Sequence, residues 1–96
     1  MQYSIINAFA NPVRLRLLCC LSKGEKNVQE LIDRCGLAQS AVSQHLSKLK
    51  EAGLVMNTRK GKYIYYRLVN KKTAILAKQI EKFVKETWEK RKLSLQ

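Results

Sequence analysis

Acidic residues are scarce in this chain: 7 Asp and Glu stand against 19 Lys and Arg in 96 residues, a formal charge of +12. A surface so short of anions repels itself when compact and attracts polyanions. Nucleic acid is therefore the first class of partner to consider, and an anionic membrane surface the second. Histidine is nearly missing, with His45 alone. There is no Ser/His/Asp set, no glycine-rich loop to cradle phosphate and no paired carboxylate site, so an enzyme is the weakest reading and no cofactor is expected. No stretch approaches the roughly 20 apolar residues of a membrane-spanning helix. The N-terminus lacks the basic region and long apolar run of a signal peptide. Cysteines are few and odd in number (Cys19, Cys20 and Cys35). Together these absences predict a cytoplasmic protein with free thiols.

What is present is the composition of a folded domain, 46% hydrophobic and 27% charged, without internal repeats or low-complexity linkers. At this length one domain is expected, with a core small enough that pairing with a second copy would add useful apolar burial. Tyr3 to Ala10 reads as a short first helix. Asn11-Pro12 restarts the chain, because Asn caps well and Pro suits the first helical position. The second helix runs to about Ser22, with Val13, Leu17, Cys20 and Leu21 on one face, and Lys23-Gly24-Glu25-Lys26 is a turn. Asn27 and Glu30 have the spacing of a capping box opening a third helix, ended by Gly36. A fourth helix spans Gln39 to Ala52, and Leu54 falls where a Schellman motif after Gly53 places its apolar contact. Residues 54–59 and 63–69 are rich in β-branched and aromatic side chains and flank Lys60-Gly61-Lys62, a hairpin signal. A final helix begins near Asn70. The expected fold is mainly α with a small β-hairpin, in the order α-α-α-α-β-β-α.

The third and fourth helices, joined by a Gly-containing turn, make a helix-turn-helix whose second helix can enter the major groove. Val42, Leu46 and Leu49 form a narrow apolar stripe on that helix. Opposite lie Ser40, Ser43, Gln44 and Ser47, side chains that donate and accept hydrogen bonds and carry no charge to repel phosphate. Gln pairs bidentately with adenine, and Ser serves a base or a phosphate. An ordinary solvated helix would carry Glu/Lys pairs there instead. From Ala38 to Lys72 the chain has eight basic residues, Lys48 and the hairpin's Arg59, Lys60 and Lys62 among them, against one acid, Glu51. Phosphate contacts give affinity and register, and groove contacts give sequence choice. A groove-reading helix beside a basic hairpin tip makes double-stranded DNA the expected partner.

These residues resemble the ArsR/SmtB family of winged-helix repressors. The resemblance rests on residues 9–18 (FANPVRLRLL), 39–49 (QSAVSQHLSKL), 51–55 (EAGLV) and 65–68 (YYRL), and it covers nearly the whole chain. It implies a winged helix-turn-helix that dimerises through its first and last helices and binds an imperfect inverted repeat, with an inducer releasing the DNA in many members. By position, Gln39, Ser40, Ser43, Gln44 and His45 fall on the base-reading segment, and Arg59, Lys60 and Lys62 on the wing. The implied function is that of a sequence-specific transcriptional regulator, a repressor in the family's usual manner. The alternative is a winged-helix module that binds protein or RNA without reading DNA sequence.

Two departures stand out. Ala38 occupies a position where a Ser, Thr or Asp cap is common, which leaves Ser40 to supply the cap or leaves it weak. The family's sensing sites are also missing. Metal-sensing members carry paired thiols on the third helix or His and carboxylate ligands on the last; here the third helix has Cys35 alone and the last has neither His nor Cys. No metal site of the family kind is expected. Cys19 aligns with a second-helix cysteine of the thiol-based members, whose partner on the last helix is absent. Cys20 lies about 100° round the helix from Cys19, which disfavours a bond between neighbours. Cys19 and Cys20 are read first as small core residues. A thiol switch using Cys35 as the alternative partner, or a soft three-thiolate site, is the second reading, and its inducer is unknown.

The last helix carries Leu76, Ile80, Phe83, Val84 and Trp88 at helical spacing, alongside several lysines. Glu81, Glu86 and Glu89 interrupt that charge and disfavour a membrane face. A homodimer seam against Tyr3, Ile6 and Phe9 of the partner is expected, worth several kcal/mol at roughly 25 cal/mol per Å².

Overall fold

Local signals set the helix boundaries. In the computed structural model, which describes residues 2–94 and the side chains of residues 5–91, α1 spans Gln2–Phe9 and α2 spans Pro12–Leu21. The Asn11 side chain accepts hydrogen bonds from the Val13 and Arg14 amides, at 2.9 and 3.1 Å. Pro12 begins the helix at no cost, since its position has no intrahelical N–H partner. Helix α3 (Val28–Cys35) opens on the expected capping box. The Glu30 amide donates to Asn27 Oδ1 at 2.8 Å, and the Asn27 amide donates back to Glu30 Oε1 at 3.0 Å. Gly36 ends it at φ 66°, a conformation that costs a glycine little.

Helix α4 (Gln39–Glu51) ends in a full Schellman motif. The Leu54 amide reaches the Leu49 carbonyl and the Gly53 amide the Lys50 carbonyl, each at 3.0 Å. Leu54 is buried as the apolar contact of that motif. The final helix, α5 (Lys71–Ser94), is capped by Asn70, whose Oδ1 accepts from both the amide and the hydroxyl of Thr73.

The β region departs from the expected two-stranded hairpin. β2 (Val55–Lys60) and β3 (Tyr63–Leu68) pair antiparallel with Lys60 opposite Tyr63. Their connection is therefore only Gly61-Lys62, with positive φ at the glycine alone, the glycine-first pattern of a type II′ turn. A third strand, β1 (Lys26–Asn27), joins the far edge of β3 in the order β1-β3-β2. Lys26, expected in an exposed turn, is a strand residue with 7% exposure, its Nζ donating to the Gly24 carbonyl. Two residues are too few to show strand periodicity, and Asn27 was already spoken for as a helix cap.

The core joins these elements in one cluster. Leu17, Leu18 and Leu21 of α2 meet Leu31 and Cys35 of α3, Val42, Leu46 and Leu49 of α4, and Leu54 and Val55. Ala8 closes it from α1 and Ala77 from α5. Beyond Ala77 the long α5 leaves the core, and the molecule measures 53 × 30 × 22 Å. No helix among the described residues is long and apolar enough to cross a membrane.

Candidate nucleic-acid interface

Helix α4 is held by one stripe only. Val42, Leu46 and Leu49 are fully buried, whereas Gln39, Ser40, Ser43, Gln44, Ser47 and Lys48 are exposed. Burial of the stripe fixes the rotation of the helix and turns its hydroxyl and amide face to solvent, as the sequence pattern requires. Ser47 Oγ donates to the Ser43 carbonyl at 3.2 Å, and Gln44 lies to one side of them on the same exposed face. The α4 N-terminus has Ala38 at its cap position and no side-chain hydrogen bond there. Of the two alternatives for that position, the structure shows the weak cap.

His45 lies at the flank of this face and is half-buried. Its pKa is lowered, first by burial and then by the positive charges of Arg14 and Lys48. The imidazole is therefore held toward its neutral form, able to donate and accept one hydrogen bond each. His45 Nδ1 is buried without a hydrogen-bond partner, as is Arg14 Nε. Arg14 was not among the expected DNA-facing residues. The structure brings it beside Lys48 in a cleft between α1, α2 and the C-terminal half of α4, where Arg14 Nη2 also donates to the Asn7 carbonyl at 2.9 Å. Only the tertiary fold extends the basic flank of α4 in this way, since 34 positions separate these two residues in sequence.

The wing places its three cations at one end, with different surroundings. Arg59 Nε donates to the Gly61 carbonyl at 3.2 Å, and Lys62 Nζ sits 5.6 Å from the Tyr63 ring centroid. Lys60 makes an ion pair with Glu25, which comes from the segment preceding β1, and its Nζ lies 5.4 Å from the Tyr65 ring. The sequence placed Lys60 as an unencumbered tip residue; the fold has already supplied it with a carboxylate. Glu25 is a residue that sequence reasoning missed, because the ion pair depends on β1 docking onto β3.

The cysteines are arranged otherwise than expected. Cys35 does not meet Cys19; it is disulfide-bonded to Cys20 across the seam between α2 and α3, so the expectation of free thiols holds for Cys19 alone, because docking of α2 on α3 brings the other two sulfurs together. Cys19 is the free thiol, and it faces α5, where Glu81 accepts its hydrogen bond. Burial and that carboxylate push its pKa up to about 11. Among the described residues no group of three His, Cys, Asp or Glu side chains is placed to hold a metal ion.

The expected dimer residues fall into two groups. Ile6, Leu76, Phe83, Val84 and Trp88 are exposed large apolar side chains, Phe83 at 69% and Trp88 at 58%. Ile80 is half-buried, and Phe9 packs partly against the chain's own core. The Tyr3 side chain lies outside the described residues.

Known proteins share this architecture. The family model for bacterial regulatory proteins of the arsR family matches residues 11–56, from the α2 cap through the start of β2. The biofilm growth-associated repressor of Xylella fastidiosa is 41% identical over 73 residues, 76% of this chain and 64% of that protein. The chain thus spans just under two thirds of the length of that relative. The crystal structure of the transcriptional repressor BigR from Xylella fastidiosa superposes with a TM-score of 0.76 at 37% identity, covering 84% of this chain and 83% of that one. A homodimeric winged helix-turn-helix DNA-binding domain from Mycobacterium bovis superposes at a TM-score of 0.77 with 31% identity, covering 91% of this chain and 81% of the other.

Proposed function

Because the chain belongs to the arsR family of bacterial regulatory proteins, we propose that it is a cytoplasmic, homodimeric transcriptional repressor that reads an inverted-repeat operator with α4 and grips the flanking backbone with its wing. The single observation that carries this reading is the α4 face: polar, exposed and free of carboxylates from Gln39 to Lys50, on a helix whose other side is locked into the core. In the proposed complex Gln44 and Ser43 meet base edges, with Gln39 and Ser40 at the entry to the groove. Ser47 and Lys48 take phosphates or adjacent bases, and Arg59, Lys60 and Lys62 take phosphates beyond the groove. His45, held neutral, is placed for a single hydrogen bond at the groove edge.

Dimerisation supplies the second half-site. The exposed apolar residues of α1 and α5 are supported as the seam by their size and exposure, and by the homodimeric Mycobacterium bovis domain of similar fold. A two-fold axis through that seam would set the two α4 helices about one helical turn of DNA, roughly 34 Å, apart.

The test is selection of bound fragments from the source genome, followed by affinity measurement across a salt series. A pseudo-palindromic site, and an affinity falling steeply and linearly on a log–log plot with salt, are expected. Salt-dependent binding with equal affinity for all duplexes would refute operator reading and leave a general polyanion-binding module.

A further inference from the structure

We propose that the cleft between α1, α2 and the C-terminal half of α4 binds a small zwitterion of the α-amino-acid class, with Arg14 and Lys48 holding its carboxylate and Glu51 its ammonium. The site stands on the charges of that cleft and does not depend on operator reading.

The cleft measures about 360 Å³, at the small end of the roughly 300–1,000 Å³ usual for ligand sites. Ala8, Ala10 and Ala52 line it with methyl groups alone, so it offers no deep apolar recess. A ligand there is recognised by its polar ends. Arg14, Lys48 and Glu51 supply the groups to do so, two cations and one carboxylate from two helices.

These charges do not neutralise one another. Among the described residues none of the three enters an ion pair; the pairs found join Lys60 to Glu25 and Lys82 to Glu86. Lys48 and Glu51 are neighbours at i and i+3 on α4, but with the cation N-terminal to the acid, the less favourable order. Arg14 is half-buried, with Nη2 on the Asn7 carbonyl at 2.9 Å and Nε without a partner. A half-buried charge without a counter-ion draws an anion. Two of the charges also oppose their own helices: Arg14 stands in the first turn of α2, and Glu51 is the last residue of α4. A helix dipole disfavours a cation at its N-terminus and an anion at its C-terminus. Helix stability therefore explains neither residue.

The cleft is thus polarised. At the α2 end, the helix N-terminus and the Arg14 guanidinium both favour a carboxylate, with Lys48 as a second cation. At the α4 end, the helix C-terminus and Glu51 both favour an ammonium. An α-amino acid carries both groups on one carbon. A phosphate, whether free or in the DNA backbone, would satisfy the first end and be repelled by Glu51. A plain carboxylic acid would leave Glu51 without a counter-ion.

The experiment titrates the proteinogenic L-amino acids, one at a time, into isotope-labelled full chain and follows the backbone amide resonances. For at least one amino acid, saturable shifts centred on Asn7, Arg14, Lys48 and Glu51 are expected, with a Kd of about 1 mM or tighter. Its N-acetyl derivative lacks the ammonium and the matching amine lacks the carboxylate, and each should bind at least about tenfold more weakly. Glu51→Gln, a change at an exposed position, should weaken the amino acid at least about fivefold and leave the N-acetyl derivative unaffected. Binding is read first on unmutated protein, so a poorly folding variant does not decide the result. If no amino acid saturates the cleft, the site is overturned. Inorganic phosphate or the N-acetyl derivative binding as tightly as the amino acid overturns the zwitterion, and an equal loss of both ligands in Glu51→Gln overturns the role of Glu51.

Discussion

At the scale of single residues, the interface is governed by what each side chain is denied. Gln44 has no protein partner to distract it on an exposed helix face, so its amide is available to a base. Gln44→Ala is expected to lower discrimination at one operator position by about 1–3 kcal/mol while leaving affinity for unrelated DNA nearly unchanged. Competition binding with single-base operator variants measures this, and a uniform loss across all sequences would show that Gln44 meets phosphate instead. His45 makes a prediction about pH. Its folded pKa lies below the ordinary 6.5 because burial, Arg14 and Lys48 disfavour the imidazolium. The unfolded chain therefore takes up the proton first, so stability is full above about 6.5 and declines as pH falls through that value toward the lowered folded pKa. Urea unfolding at pH 7.5 and 5.5 should show a smaller pH dependence in His45→Gln than in the unmutated chain. An equal dependence in both would remove His45 as the source.

At the scale of elements, the wing is coupled to the rest of the chain by the two-residue strand β1. Glu25, just before β1, engages Lys60, and in the proposed complex its carboxylate stands where a phosphate would bind. An exposed pair of this kind contributes no more than about 1 kcal/mol, so in the proposed complex DNA would displace it at small cost. Glu25→Gln is expected to raise affinity for all duplexes by up to about fivefold and to steepen the salt dependence. Lys60→Ala should weaken all duplexes alike and abolish the effect of Glu25→Gln in the double variant. Independent, additive effects of the two changes would mean that the pair does not persist in solution. Helix α4 illustrates the same dependence from the other end: its Schellman close is firm, and its start relies on α3 and the Gly36 turn for position.

At the scale of the whole molecule, a small core and a long, partly uncovered α5 call for a second copy. Phe83 and Trp88 would expose large apolar area in an isolated chain, and covering such area at roughly 25 cal/mol per Å² amounts to several kcal/mol for a seam of this size. Phe83→Glu, at a position the chain's own core does not use, is expected to give a folded monomer by light scattering and to weaken operator binding at least about tenfold, since the half-sites then bind separately. A Phe83→Glu protein that remained dimeric would relocate the seam. The net charge of +12 works at this scale too: in the proposed complex it would draw a dimer to DNA before any base is read.

Much of this protein was written in local chemistry. The capping box of Asn27 and Glu30, the Asn11-Pro12 start, the Gly53-Leu54 close and the stripe of Val42, Leu46 and Leu49 each depend on residues within a turn or two of one another, so sequence spacing alone determined them. Contacts between distant residues were settled by the tertiary structure alone. Lys26 becoming a buried strand residue, Glu25 reaching Lys60, Arg14 standing beside Lys48, and Cys35 choosing Cys20 over Cys19 all depend on how α2, α3 and the sheet dock. The physical reason is one of range: backbone propensity and capping act over a few residues, whereas pairing across elements is decided by which surfaces the shared core brings together.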